Sequence, residues 1–332
     1  MRDVIDELAA WWRSGATVGL GTVVATWKSS PRQPGAAMVV GPDGTVVGSV
    51  SGGCVEGAVY ELAQATRDTG TAVLQRYGIS DDDAYAVGLT CGGIIDVFVE
   101  QVGPLTFPEL GSVADDIGAG RPVAVATFVS GDDARSGRRL VVRPDSVSGS
   151  LGGPRLDAAV RDDARGMLLQ GTTGTVHYGP DGERRGDDIA IFVASYAPRP
   201  RMIVFGAIDF AAALTRIGAF LGYRVTVCDA RPLFATERRF PDAHEVVVEW
   251  PHRYLARSVA AGAVDSRTVI CVLTHDQKFD VPLLEVALRT EAGYVGAMGS
   301  RRTHAERLER LRERGMTEAE LARLHSPIGL DI

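Results

Sequence analysis

No uninterrupted apolar stretch in this chain approaches the roughly 20 residues that a membrane-spanning helix requires, so no membrane partner is expected. An excess of basic residues is also missing. The 35 Lys and Arg stand against 42 Asp and Glu, a formal charge of -7, which leaves no electrostatic footprint for nucleic acid or an anionic lipid surface. Cysteine is scarce: four residues at irregular spacing make neither a disulfide framework nor a Cys-x-x-Cys zinc set, and they lack iron–sulfur cluster spacing. That usage fits a reducing compartment. The first residues, Met1-Arg2-Asp3-Val4-Ile5-Asp6-Glu7-Leu8, are acidic and contain no secretory apolar core. The expected location is the cytoplasm.

What is present is ordinary globular material, 45% hydrophobic and 23% charged over 332 residues, enough for two domains with real cores. The Ala197-Pro198-Arg199-Pro200 segment reads as a stiff linker, giving domains at 1–197 and 201–332. The fold class expected is α/β: an N-terminal α+β domain followed by a Rossmann-like, doubly wound parallel-sheet domain.

The first domain carries an internal pseudo-repeat, with halves at about 1–105 and 106–197. Met38-Val39-Val40-Gly41-Pro42-Asp43 matches Leu140-Val141-Val142-Arg143-Pro144-Asp145. Each run is followed by Gly-Ser, then Gly-Gly, a helical segment and a Thr-Gly-Thr step into a strand, four landmarks in one order. The copies differ at the most informative stretch of the chain, Ser51-Gly52-Gly53-Cys54-Val55-Glu56-Gly57. Paired glycines let the backbone come close to a ligand, and a thiol beside them can be presented to it. Cys54 is therefore the first catalytic candidate, with Glu56 to orient the partner of the sulfur or handle its proton. A second Cys-Gly-Gly, Cys91-Gly92-Gly93, makes Cys91 the other. The second copy has Pro154, Arg155 and Leu156 where the first has Cys54 and Glu56, so the first copy is expected to hold the chemistry. The seam between the copies is expected to form a pocket. Cys228 and Cys271 lie in apolar runs and are expected to be buried strand residues.

In the second domain Met202-Ile203-Val204-Phe205 runs into Gly206-Ala207, then a helical pattern with Ala211, Leu214, Ile217, Gly218 and Leu221 on one face, then a strand closing on Asp229. Strand, turn, helix, strand and acid make the Rossmann layout, with Gly206 at the turn and Asp229 placed to accept a ribose. The glycine fingerprint is broken, because Ile208 stands where bare backbone should approach a pyrophosphate. Asp209, a helix N-cap by pattern, adds a carboxylate there, and bound NAD is doubtful on this ground. Three further strands would place Thr274-His275-Asp276 and Gly299-Ser300-Arg301-Arg302 at their carboxyl ends. His275 titrates near neutrality, and the second group opens a helix whose amides and guanidinium groups suit an anion. Thr274, His275, Gly299, Ser300, Arg301 and Arg302 are the binding candidates of this domain.

These stretches, together with Thr26-Trp27-Lys28-Ser29-Ser30-Pro31-Arg32-Gln33-Pro34-Gly35, Tyr294-Val295-Gly296-Ala297-Met298-Gly299-Ser300-Arg301-Arg302 and Pro327-Ile328-Gly329-Leu330-Asp331-Ile332, resemble the xanthine dehydrogenase accessory factor family of the XdhC/CoxI type. The resemblance implies an accessory protein that binds the molybdenum cofactor, molybdopterin, as cargo. It supports sulfuration of that cargo and its insertion into a molybdenum hydroxylase. The partners implied are an apo xanthine or carbon monoxide dehydrogenase, a cysteine desulfurase and a second copy of the chain. Carried over, Cys54 would face the molybdenum or the sulfur, with Arg32, Ser51, Gly52 and Gly53 lining its pocket; soft thiolates suit such a metal, and an anionic pterin phosphate suits amides and Arg. Two other readings stand beside this one. An NAD-dependent oxidoreductase would use Asp229 and His275, against the Ile208 turn. A non-catalytic interaction scaffold would lose nothing on replacing Cys54.

Overall fold

Among the described residues of the first 198, the apolar runs become ten strands in two sheets. Two compact units, Met1–Pro198 and Arg199–Ile332, make up the chain, and the computed structural model describes residues 1–78, 92–274 and 276–329. In the first unit α1 (Ile5–Arg13) leads into β1 (Val18–Trp27), β2 (Ala37–Val40), β3 (Val46–Gly48), α2 (Glu56–Thr69), β4 (Val73–Tyr77) and β5 (Ile94–Val102). After α3 (Leu110–Gly118) the pattern returns as β6 (Val123–Ser130), β7 (Arg139–Val142), β8 (Val147–Gly149), α4 (Pro154–Gln170), β9 (Gly174–Tyr178) and β10 (Ile189–Tyr196). The strand orders are β3-β2-β1-β5-β4 and β8-β7-β6-β10-β9, the same antiparallel arrangement twice. Both α2 and α4 end on a left-handed glycine, Gly70 and Gly171, the usual chemistry of a helix stop.

Layering follows from strand alternation. Leu20, Val39 and Phe98 of one sheet pack against Val125, Val141 and Phe192 of the other in a single core, closed at its edge by Leu8 of α1 and Leu110 of α3. The opposite faces pack on the helices, Val23, Val40 and Val97 against Val59 of α2, and Phe128, Leu140 and Ile191 against Val160 of α4. The middle of the seam is thus a filled interior, its cavity of about 30 Å³ holding roughly one water, while at one edge a pocket of about 230 Å³ opens between the copies, lined by Ala72, Glu100 and Gln101 of the first and by Ser136, Gly137 and Arg139 of the second. One charge pair crosses the seam, Glu100 of β5 with Arg139 of β7, both buried. Arg139 also donates to the carbonyls of Thr106 (3.2 Å) and Gly137 (3.0 Å) and covers the Phe107 ring at 4.3 Å. Burial pushes the Glu100 carboxyl upward against the pull of Arg139. The repeat-related positions are Ala194 and Ala37, so the pair marks one side of the pseudo-symmetric seam.

The second unit contains β11 (Arg201–Phe205), α5 (Asp209–Phe220), β12 (Arg224–Asp229), β13 (Glu245–Val248), α6 (Pro251–Ala260), β14 (Val269–Val272), α7 (Gln277–Ala287), β15 (Tyr294–Ala297), α8 (Arg301–Glu313), α9 (Glu318–Leu321) and β16 (Leu324–His325). The sheet is parallel throughout, in the order β13-β12-β11-β14-β15-β16. The direction of winding reverses between β11 and β14, and ligands of such sheets sit outside the strand ends at that point. Gly206, with φ 108°, ends β11 there. A Cβ on it would lie 3.0 Å from the Leu273 carbonyl carbon and the Thr274 nitrogen, so the turn requires glycine. Cys228 and Cys271 are buried strand residues, as their apolar runs predict. Among the described residues no helix is long and apolar enough to cross a membrane.

Candidate functional site

In the first unit β1, β3 and β4 end, and β2 and β5 begin, at one end of their sheet. The segments 28–36, 49–55 and 92–93 therefore gather at that end. This is where the topology places the loop carrying Cys54 and the motif carrying Arg32. Cys91 lies outside the described residues.

The loop is organised by Glu56, the first residue of α2. Its carboxylate accepts hydrogen bonds from the hydroxyls of Ser49 (2.6 Å) and Ser51 (2.5 Å) and from the amides of Ser51 (2.9 Å), Gly52 (3.0 Å) and Gly53 (2.8 Å). Longer bonds come from Val50 and Val55, both 3.2 Å. Ser51 Oγ in turn accepts from the amides of Cys54 (2.9 Å) and Val55 (3.1 Å). Partial burial would raise the Glu56 carboxyl, but the Ser49 and Ser51 hydroxyls and the loop amides outweigh it and hold its pKa down to about 2. A carboxylate so placed stays ionised at neutral pH and is a poor proton carrier. The proton-handling role expected of Glu56 is thereby corrected: its carboxylate fixes the loop that presents Cys54.

The same geometry defines what Ser51, Gly52 and Gly53 can offer a ligand. Their amides turn inward to Glu56, and Ser51 is buried, so these amides are not aimed at an external phosphate. Gly52 (φ 80°) and Gly53 (φ 117°) are exposed, and nothing lies within 4 Å of where their Cβ atoms would be. They offer bare backbone to whatever approaches the loop. Cys54 is half-buried and packs its inner side on the α2-facing core. Arg32 donates to Asp3 at 3.1 Å, while its buried Nε has no hydrogen-bond partner.

Superposing the repeat by strand register finds a residue that the sequence reading passed over. Asp157 occupies the Glu56 position, accepting from Ser150 Oγ and from the Leu151 amide, both at 2.7 Å. The second copy therefore kept a shorter acid and a simpler loop. At the Cys54 position it has Arg155. The signal was in the spacing, since Ser49 and Ser150 precede their acids by the same seven residues.

In the second unit the described candidates converge on the carboxyl end of the sheet, two of them, Asp229 and Thr274, already committed inward. Asp229 is buried and holds Arg231 through both carboxylate oxygens, Nε to Oδ1 at 2.9 Å and Nη2 to Oδ2 at 2.8 Å. It also accepts from the Ala207 amide at 2.7 Å. Burial would raise this carboxyl; Arg231 and the Ala207 amide outweigh that and lower it. Ile208, not Asp209, is the N-cap of α5, and it has no side-chain capping bond. Asp209 is the first helical residue and pairs with Arg239 at 3.2 Å. Thr274 is buried and donates its hydroxyl to Asp280. Asp280 pairs at 3.0 Å with the buried Arg307, which also donates to the Met298 carbonyl (2.8 Å) and Ser326 (3.1 Å). Sequence reading missed this network, because a charge inside a helix gives no sign of a partner 27 residues away.

Gly299 (φ 147°) precedes the helix whose N-cap is Ser300, accepting from the Thr303 amide at 3.1 Å. Arg301 and Arg302 are exposed, Arg302 pairing with Glu306 at 3.0 Å. His275 lies outside the described residues. A crevice of about 160 Å³ between Ile208, Arg231, Thr274, Asp276, Lys278 and Phe279 marks the point where the winding reverses.

Comparison with known proteins places both units. Residues 202–332 match the family model described as the XdhC Rossmann domain. Residues 11–78 and 117–179, one segment in each half of the repeat, match the XdhC and CoxI family. The chain is similar to a Bacillus subtilis protein described as a probable subunit of xanthine dehydrogenase, with 27% identity over 94% of this chain and 86% of that protein. It is similar to the molybdenum cofactor insertion chaperone PaoD of Escherichia coli, with 25% identity over 96% of this chain and 78% of that protein. Among solved structures, one described as a xanthine dehydrogenase from Bacillus halodurans superposes with a TM-score of 0.68 and 26% identity, covering 99% of this chain and 89% of that one.

Proposed function

Because the chain belongs to the XdhC and CoxI family, we propose that it is a maturation protein that takes up the molybdenum cofactor as cargo and delivers it to a xanthine dehydrogenase-type hydroxylase. The relative named as an insertion chaperone supports the class of function. The observation that carries it to residues is the loop: a half-buried thiol beside two exposed glycines, held in shape by a buried-side carboxylate. Gly52 and Gly53 let a bulky ligand come close, and Cys54 supplies a soft sulfur donor of the kind molybdenum accepts. Glu56 fixes the approach geometry and keeps its charge. The client is an apo hydroxylase, a cysteine desulfurase supplies the sulfur for the cargo while it is held, and the chain acts as a homodimer in the cytoplasm. Cys91 is the second thiol assigned to this chemistry, on its place in the second Cys-Gly-Gly run.

The dinucleotide reading is disfavoured by geometry. Asp229, the residue that would accept a ribose, is filled by Arg231 and Ala207, and Ile208 puts a branched side chain at the pyrophosphate turn. The residues present do not suit NAD, and hydride transfer is not part of the proposal.

The test is purification of the full chain from cells with intact cofactor biosynthesis, followed by molybdenum analysis and pterin fluorescence. Wild type should carry both and Cys54→Ala neither. A wild-type protein devoid of both, or a Cys54→Ala variant retaining them, would overturn the proposal.

A further inference from the structure

Helix α5 is built inside out. Its inward positions are small: Ala211, Thr215 and Gly218 are its buried residues. A Cβ at Gly218 would meet Met202 Sδ at 2.7 Å and Val225 at 3.0 Å, so nothing larger fits against β11 and β12. The large apolar side chains point the other way. Phe210 is 69% exposed, Ile217 56%, Phe220 88% and Leu221 62%, at the spacing that makes one helical stripe. The sequence pattern had put Ile217 and Leu221 on the packed face; the close fit of Gly218 on the sheet turns them outward.

The stripe extends beyond the helix. Leu233, 85% exposed, and the exposed Phe234 sit beside its N-terminal end. Arg239 ties them there, donating to the Ala207 (3.1 Å) and Phe234 (3.2 Å) carbonyls and pairing with Asp209. The flanking charges are satisfied within the chain, Arg216 by Asp242 at 3.4 Å and Asp209 by Arg239, so covering the stripe strands no charge. With ~150–250 Å² per exposed aromatic side chain and somewhat less per aliphatic one, these six residues present roughly 600–800 Å² of apolar surface. That exceeds the ~300–600 Å² of the largest patch on a typical monomer and approaches the ~800 Å² per partner of a standard interface.

The geometry points to this face as the contact with a second copy of the same chain, α5 packing antiparallel on α5 across a two-fold axis. The stripe has bulk at both ends, Phe210 with Leu233 and Phe234 at one and Phe220 with Leu221 at the other. Antiparallel pairing sets each end of one helix against the other end of its mate, and Ile217 comes near the axis. The contact is isologous and self-complementary, so it closes as a dimer and does not propagate. It rests on the homodimer of the proposed function and not on the cargo, since none of these residues belongs to the Cys54 loop.

The experiment is light scattering on the full chain over a dilution series, for wild type, Ile217→Glu and Phe220→Glu, with circular dichroism melts to verify folding. Wild type should be a dimer. Because the two-fold places each substitution in the interface twice, either variant should weaken the dimer by roughly 100-fold or more while melting as wild type does. Ile217→Cys, in a Cys54→Ser background, should give a covalent dimer on mild oxidation. A wild-type monomer at every concentration would overturn the assignment, as would a dimer that survives both charged substitutions. Loss of client activation by either variant of a monomeric wild type would give the face to the client, and would also overturn it.

Discussion

Replacing Glu56 by Gln tests whether the loop presenting Cys54 is held electrostatically. The carboxyl titrates at about 2 where an ordinary Glu titrates at 4.5. A tenfold change in ionisation corresponds to ~1.4 kcal/mol, but the side chain is only partly buried, and solvent screening reduces the stabilisation to about 1–2 kcal/mol. The folded-state value is depressed, so this stabilisation is complete above pH 4.5 and is lost as the pH falls toward 2. Gln keeps one acceptor oxygen but turns an NH2 group toward amides that are themselves donors. At neutral pH the Glu56→Gln protein should therefore melt below wild type, and the amides of Ser51, Gly52 and Gly53 should exchange hydrogen faster. The gap should narrow as both proteins are acidified from pH 5 toward pH 2, since wild type then loses the same charge. Thermal melts across that range, with amide exchange at neutral pH, measure both effects. A gap of equal size at every pH, or unchanged exchange at Gly52 and Gly53, would refute the view that the carboxylate organises the loop.

The remaining predictions concern the frame around the sites. Glu100→Ala leaves the buried Arg139 without its counter-charge and should cost about 3–5 kcal/mol in a urea titration; the paired change Glu100→Leu with Arg139→Met should recover most of that. Gly206→Ala forces a Cβ against the β14 turn at positive φ, and a loss of about 1–3 kcal/mol is expected from backbone strain alone, read as a lower melting temperature. Burial pushes the Cys271 thiol up to about 12 and raises that of Cys228 as well, so alkylation of the native protein at pH 8, followed by peptide mass spectrometry, should modify Cys54 and leave both strand cysteines intact until denaturation.

The sequence disclosed those features that repeat locally. Five of the six strands of the Rossmann unit were visible as short apolar runs, and the duplicated Gly-Ser and Gly-Gly landmarks of the first unit correspond to the same strand order in both sheets. What remained hidden depends on partners distant in the chain. Glu100 ends one apolar run of the sequence and Arg139 opens another, and only the apposition of the two sheets makes them a pair. Asp229 looked available to a ribose because nothing in the order of residues says that Arg231 folds back on it. Glu56 pointed to the right loop but the wrong role, since a carboxylate saturated by amides and one awaiting a proton are spelled alike. The two-residue strand β16 at the sheet edge is too short to carry any periodicity.

Reactivation of a client is the most direct trial of whether the Cys54 sulfur holds the cargo. Purified chain from cofactor-producing cells is mixed with an apo hydroxylase, and recovered activity is compared for wild type, Cys54→Ser and Glu56→Gln. Wild type should restore activity, Cys54→Ser should fall to the level without added protein, and Glu56→Gln should lie between them. Equal reactivation by wild type and Cys54→Ser would contradict the account.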